Sequence, residues 1–413
     1  MSRPISTYVG LAFAFVVGLA GARPTTANDL KSLSEAAADP SRWTEPSLRS
    51  AWRPQPVSGV RGYAYLKDLK TFRDVPVRAL TVQFSEEGIT ECTTLLFFDA
   101  GYSYGFIPSK EDIDALDERT DEAVADEYQA ASEKARAIIQ DLYEQVRESA
   151  PAASKIEVGH GKKLKLPAII APVPGGAARL IDIPNRMVEI SFFPNLELAA
   201  RICPETDIKG TLLDRSYYAS RVKMDKQGNV FIPGIPMLHQ GNRAYCGVST
   251  LAMAAQYFHL NLGTEAYAAA AKFKKGNKVV LVNLFDIYKE TIQETGFELK
   301  HRVHMDFKSV KESVINGFPV LVWRRFDSGR DRLHSAFARR YARDPEATLP
   351  LPNEAERSTW PVNRGEKHAS LITGYNEERG EVIFTEPWGE QVRNRRMRIE
   401  EMIATSYLSF YPY

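Results

Sequence analysis

One stretch constrains the fold of this 413-residue chain more than any other. From about Glu111 to Ser149, the residues Val124, Tyr128, Ala131, Ala135, Ile138, Leu142 and Val146 recur at steps of three and four. That spacing gives one apolar stripe on an otherwise charged helix. Ser109 stands where an N-cap is needed, with Asp112 placed to bond back to it, and Pro151 ends the run. A helix this long with a single apolar face needs a layer to lie across, and its surroundings read as strands. Val77–Phe84 alternates Leu80, Val82 and Phe84 with Thr81 and Gln83, and Ile89–Phe98 is rich in β-branched and aromatic residues. Ser85-Glu86-Glu87-Gly88 makes the turn of a hairpin. After Pro151, strand character resumes in Leu164–Val173, Met187–Phe193 and Leu196–Ile202, with Gly175-Gly176 as a turn. The expected fold class is α+β, with an N-terminal domain of β-hairpins and one long helix over residues 28–205.

The chain is longer than one core usually organises, so further domains are expected. Lys+Arg 53 against Asp+Glu 52 leaves a net charge of +1. That balance argues against a nucleic-acid partner. Three cysteines exclude a disulfide scaffold and a multi-cysteine metal cluster. Residues 1–27 read as a signal peptide: Arg3 supplies the positive start, Val9–Ala22 is an uncharged apolar run, and Ala20-x-Ala22 and Thr25-x-Ala27 offer cleavage patterns. The run is shorter than the roughly 20 residues of a membrane span. The expectation is an exported protein, periplasmic or secreted, with no stable membrane insertion after cleavage. An uncleaved signal anchor is the alternative. Removing residues 1–27 takes Arg3 and Arg23 and leaves 51 basic against 52 acidic residues.

Gly159-His160-Gly161-Lys162 superficially resembles a phosphate loop, but it lacks the earlier glycine, the following Ser/Thr and a helix to open. Nothing in residues 28–205 assembles a recognisable site. That half fits equally a substrate-positioning, interaction or folding-aid role.

Residues 206–229 connect to a second half, 230–413, whose text changes character. Pro233 and Pro236 lead into a polar loop, and Cys246 then stands immediately before a helical run with Val248, Leu251, Ala252, Ala255 and Phe258 inward. A cysteine at a helix N-terminus feels the positive end of the dipole, which favours thiolate. Gln240, six residues upstream, can present an amide to a developing oxyanion beside the Cys246 backbone N–H. Alone, Cys246 reads as well as a buried structural thiol. Downstream, His368 opens the apolar strand of K-H-A-S-L-I-T-G-Y-N. After the strand Glu381–Thr385 comes Glu386-Pro387-Trp388-Gly389. A carboxylate on the neighbouring strand is placed to hold the second imidazole nitrogen. The other six histidines lack such a partner pattern, and His301 with His304 has no placed third ligand for a metal.

Gln240, the Q-G-N-R-A-Y-C-G run, H-A-S-L-I-T-G-Y and E-P-W-G together resemble the papain-like cysteine peptidases, closest to the bacteriocin-processing (double-glycine) peptidase-like branch. The resemblance covers roughly residues 230–413. It implies a papain-like cysteine peptidase domain with Cys246 as nucleophile, His368 as base, a third orienting residue and Gln240 as oxyanion donor. It implies no cofactor or metal, and a peptide or protein as substrate. The family usually carries Asp at the third position, or Asn in papain, where this chain has Glu386, one methylene longer. Asn376 ends the His368 strand and is the poorer candidate. The transporter-linked members cleave leaders after Gly-Gly, but this chain has no transporter or nucleotide-binding motif. A leader substrate does not follow.

Gly263–Lys272, Val282–Gly296 and Val310–Asn316 read as helices and Gly317–Trp323 as a buried strand near His368. An Arg-rich insertion, Arg324–Lys367, interleaves Phe326, Phe337 and Tyr341. Such stretches can bind single strands. With neutral overall charge and an export signal, a loop or short helix framing a cleft for acidic or extended peptides is expected instead. The run Arg393–Arg398 reads as a solvated face. Two rivals stay open, an acyltransferase or amidase on the same triad and a non-catalytic peptide-binding module, and the oligomeric state is open too. In an oxidising compartment Cys92 and Cys203 are expected to be neighbours able to bridge, which leaves Cys246 free.

Overall fold

A computed structural model describes residues 33–45, 62–67, 71–85, 89–100, 118–202, 215–240, 245–272, 281–389 and 392–413. The first half builds a seven-stranded antiparallel sheet from β1 (Gly62–Lys67), β2 (Ala79–Phe84), β3 (Thr90–Asp99), β4 (Ser154–His160), β5 (Leu164–Val173), β6 (Gly176–Ile183) and β7 (Met187–Phe193), in the order β1-β2-β3-β7-β6-β5-β4. The long helix α1 spans Glu118–Glu144. Its stripe of Val124, Tyr128, Ala135, Ile138 and Leu142 packs on Leu80, Val82, Leu95, Leu180, Ile190 and Phe192. Ser109, the expected cap, lies outside the described residues.

Alternation along the strands means the opposite face of the same sheet carries a different set. Val158, Leu164, Leu166, Ala168 and Ile181 there join one continuous core with the second half. Polar ties cross that boundary as well. Arg179, fully buried, donates to the Asn261 carbonyl at 2.9 Å and to its side chain at 2.7 Å. The Gly-His-Gly-Lys segment is the β4–β5 turn. Its backbone N–H groups at Lys162, Lys163 and Leu164 donate to the Glu290 carboxylate at 3.0, 2.7 and 2.7 Å. A Cβ on Gly161 would stand 2.4 Å from that carboxylate carbon, which accounts for the glycine.

The second sheet has eight strands: β8 (Lys223–Met224), β9 (Val230–Phe231), β10 (Leu299–Arg302), β11 (Val320–Phe326), β12 (Glu366–Asn376), β13 (Glu381–Thr385), β14 (Arg395–Arg398) and β15 (Ser406–Pro412). They run in the order β8-β9-β12-β11-β15-β10, with β13 paired to β12 and β14 to β13. Five helices of this half are α2 (Cys246–Tyr257), α3 (Thr264–Ala270), α4 (Leu281–Glu294), α5 (Phe307–Ile315) and α6 (Ser328–Arg343). Both sheets with their helices make the chain α+β. No helix among the described residues is long and apolar enough to cross a membrane, and residues 1–27 lie outside them.

Several expectations are corrected. Leu196–Ile202 is not a strand: Asn195 accepts from the Leu198 N–H and caps a short helix, Leu196–Ala199. Arg395, Arg396 and Arg398 are 1–4% exposed, so the second basic run is a buried strand and not a solvated face. Each of these cations meets an acceptor: Asp331 for Arg395 at 2.7 Å, the buried Glu381 for Arg396 at 3.1 Å and the Leu349 carbonyl for Arg398 at 2.8 Å. The Arg-rich insertion is partly sheet, since Arg324–Phe326 finish β11 and Glu366–Lys367 begin β12. Between them α6, capped by Asp327, packs along β14. Cys92 is a free, buried thiol; Cys203, its expected neighbour, lies outside the described residues.

Candidate active site

Helix α2 opens with Cys246, which is half-buried, followed by an unbroken run of buried residues to Tyr257. Tyr245, at the N-cap position, gives the first turn no side-chain hydrogen bond. Three contacts fix that turn. Gly247 lies so close to Trp323 that a Cβ would meet the indole at 2.6 Å. The Tyr288 hydroxyl donates to the Gly247 carbonyl at 2.7 Å, and Thr250 donates to the Ala369 carbonyl at 3.2 Å. The last contact docks α2 beside the start of β12, next to His368.

His368 is 6% exposed and bonds the Glu386 carboxylate through Nε2 at 2.6 Å. With Nε2 so engaged, Nδ1 is the ring nitrogen left for Cys246, whose sulfur acts on the imidazole. Trp388 lies over the ring, with centroids 4.6 Å apart and planes at 32°. Phe326 packs at 5.5 Å. The strands explain the geometry: Leu371 of β12 faces Thr385 of β13, so Glu386, one residue past β13, comes alongside the His368 end of β12.

Glu386 is completely buried and uses both oxygens. Oε2 holds His368, while Oε1 accepts from Arg324 Nη2 at 2.6 Å and from the Ser370 hydroxyl at 2.9 Å. Arg324 also donates to Ser370 at 3.0 Å. Arg395 stands 4.0 Å from the same carboxylate and is itself held by Asp331 of α6. Burial alone would raise the Glu386 pKa, but the charges on His368, Arg324 and Arg395 outweigh it and bring it down to about 2. Burial likewise works against a charged His368, yet the Glu386 carboxylate and the Cys246 sulfur hold it up to about 9.

Gln240 is half-buried, and its backbone N–H donates to the Pro387 carbonyl at 2.8 Å. The loop bearing Gln240 is thus tied to the segment bearing Glu386. Residues 241–244, between Gln240 and the helix, lie outside the described residues. Asn376 is elsewhere, donating to the Gln227 carbonyl at 2.7 Å. His301 packs on Phe285 and His304 bonds the Ser406 carbonyl, and no three metal-ligating side chains gather among the described residues. His334 corrects the expectation that no other histidine has a carboxylate partner, since Glu401 lies 3.2 Å from its Nε2. There the acid is neutralised by Arg330 at 2.6 Å, and burial pushes the His334 pKa down.

Sequence reasoning missed Arg324, Ser370, Arg395 and Asp331. One signal was present: Arg324 directly continues the apolar run of a buried strand, where a cation needs a buried acid.

Comparison with known proteins follows the same lines. Residues 232–413 match the model of the Peptidase_C39 like family. A solved structure from Bacillus anthracis that carries the description C39-like peptidase is 16% identical, covers 44% of this chain and 96% of its own, and gives a TM-score of 0.28. No curated protein matches the chain. The family match therefore carries the relationship, and it points to cysteine peptidase chemistry on peptide or protein substrates. Residues 232–413 are related to the C39-like branch of the papain-like cysteine peptidases, the branch that Gln240, Cys246, His368 and Glu386 resemble in order and spacing.

Proposed function

We propose that the protein is an exported cysteine peptidase in which residues 230–413 perform the chemistry and residues 28–205 buttress it. Cys246 is the nucleophile and His368 the general base. Glu386 orients the imidazole, and the Gln240 amide with the Cys246 backbone N–H receives the oxyanion. The observation that carries this reading is one imidazole bonded to the buried Glu386 carboxylate at 2.6 Å and acted on by the Cys246 sulfur.

The cycle follows from those contacts. His368 takes the thiol proton, and the sulfur attacks the peptide carbonyl carbon. The carbonyl oxygen gains charge against the Gln240 amide and the Cys246 backbone N–H, the usual largest electrostatic contribution in acyl transfer. His368 then gives its proton to the leaving amine as the C–N bond breaks, leaving a thioester. A water molecule, deprotonated by His368, attacks the thioester and releases the acid and Cys246. Glu386 keeps its charge throughout and stabilises the imidazolium. Its extra methylene relative to aspartate is offset by Arg324 and Ser370, which hold its second oxygen. The short His368–Glu386 bond favours catalysis over a binding module.

The test is cleavage of a peptide mixture by the wild type and by Cys246→Ala, with products identified by mass spectrometry. Loss of all cleavage in the variant is expected, and wild-type cleavage by it would refute the assignment. Added hydroxylamine separates hydrolysis from acyl transfer: a peptidase gives mainly the free acid, an acyltransferase mainly the amine adduct. N-terminal sequencing of the exported chain tests removal of residues 1–27.

A further inference from the structure

Arg325 and Lys367 break a rule of sheet pairing. They lie directly opposite one another on antiparallel β11 and β12, where like charges destabilise a sheet. Neither is paired with a carboxylate among the described residues, whereas the nearby cations Arg324, Arg330, Arg395 and Arg396 each hold one. What the two share is the ring of Tyr407, whose centroid lies 5.4 Å from the Arg325 guanidinium and 5.8 Å from the Lys367 ammonium.

Their place in the fold matters more than the count of charges. The pair is one register position from Arg324 and His368. It therefore projects from the opposite sheet face, the one on which Trp323 packs against Gly247. The Tyr407 ring lies 6.5 Å from Trp323, and its hydroxyl is buried without a hydrogen-bond partner. Charge on the Cys246 sulfur and on Arg325 both act on that hydroxyl. Two cations thus share one phenol ring with no anion among them, and that phenol is the group on which the Cys246 sulfur acts. Local rules are usually broken where function requires it.

We propose that Arg325, Lys367 and Tyr407 form a subsite that accepts an acidic side chain, Asp or Glu, of the peptide substrate. The substrate carboxylate supplies the anion that the cross-strand pair lacks, with the Tyr407 ring as the floor that both cations share. This specificity rests on the reading of Cys246 as the nucleophile.

The test uses the full chain and matched peptidyl acyloxymethyl ketones that differ only by Glu or Lys at the first, second or third residue before the electrophile. Labelling rates of Cys246 are read by mass spectrometry, with iodoacetamide as a small neutral control. At one position the Glu probe should react faster by at least about fivefold, the scale of a partly exposed ion pair. Arg325→Glu with Lys367→Glu should invert the Glu-to-Lys ratio, a readout that cancels any general change in thiol reactivity. If the double variant does not fold, Lys367→Glu at its exposed position carries the test. Ratios near one at every position, or a ratio unmoved by the variants while iodoacetamide still labels Cys246, would overturn the subsite. Failure of iodoacetamide to label the wild type would instead remove the nucleophile reading, and the subsite with it.

Discussion

Replacing Arg324 by methionine removes a guanidinium from a carboxylate that has no access to water. Glu386 would keep His368 at 2.6 Å, Ser370 at 2.9 Å and Arg395 at 4.0 Å, but lose its 2.6 Å partner. Breaking a buried pair by deleting one member costs roughly 3–5 kcal/mol. Arg395 and Ser370 remain, so the lower end, about 3 kcal/mol, is expected here. The pH dependence identifies the cause. The Glu386 pKa is about 2 in the folded chain against an ordinary 4.5. Its contribution to stability is therefore complete above about pH 5 and is lost as pH falls from there towards 2. Without Arg324 the folded value rises, and less of that contribution exists to lose. Urea denaturation of both proteins between about pH 2.5 and 7 should show a gap that is widest near neutrality and narrows on acidification. The acid limb of peptide cleavage should also move to higher pH in the variant, and Arg324→Lys should restore part of it by returning the charge without the fork. A gap that stays constant with pH, or an unmoved acid limb, would refute the role given to Arg324.

Other consequences are sharper because they touch one contact each. Gly247→Ala puts a methyl where Trp323 already stands, 2.6 Å away, so a loss of about 1–3 kcal/mol is expected by thermal denaturation, together with slower alkylation of Cys246. Unchanged alkylation would show that the first turn of α2 does not depend on that contact. Gln240→Ala should lower kcat by about 10²–10³ while leaving iodoacetamide labelling intact; equal losses in both would mean that Gln240 holds the site together instead of the oxyanion. Cys92 should be inert in the native protein, because burial pushes its thiol up to about 12. Native Cys246→Ala should take up no label at Cys92 at neutral pH, and prompt labelling there would contradict its burial.

How much of this was legible in the sequence depended on whether a residue's partners were near it in the chain. Strands 164–173, 187–193 and 381–385 have the limits that their apolar patterns predict, and the α1 stripe packs as its spacing requires. Cys246, His368 and Glu386 stood out because each is polar at the edge of a strongly patterned element. Strands Ser154–His160 and Gly176–Ile183 did not, since charges in the one and alanines in the other blur the alternation. Leu196–Ile202 failed because the Asn195 cap outweighed a run of apolar side chains. The deepest miss was electrostatic. Four basic residues in six read as a solvated face, and only the fold brings Asp331 and Glu381 to them. The same blindness hid the partner of Glu386, because Arg324 is 62 residues away.

The central claim is that Cys246 and His368 act as one unit held by Glu386. It is tested most directly by the rate of Cys246 alkylation by iodoacetamide as a function of pH, in the wild type and in Glu386→Gln. The account predicts that labelling of the glutamine variant falls well below that of the wild type near pH 6, because the variant loses the carboxylate charge that holds the His368 pKa up. A variant whose labelling rate matches the wild type at every pH would contradict it.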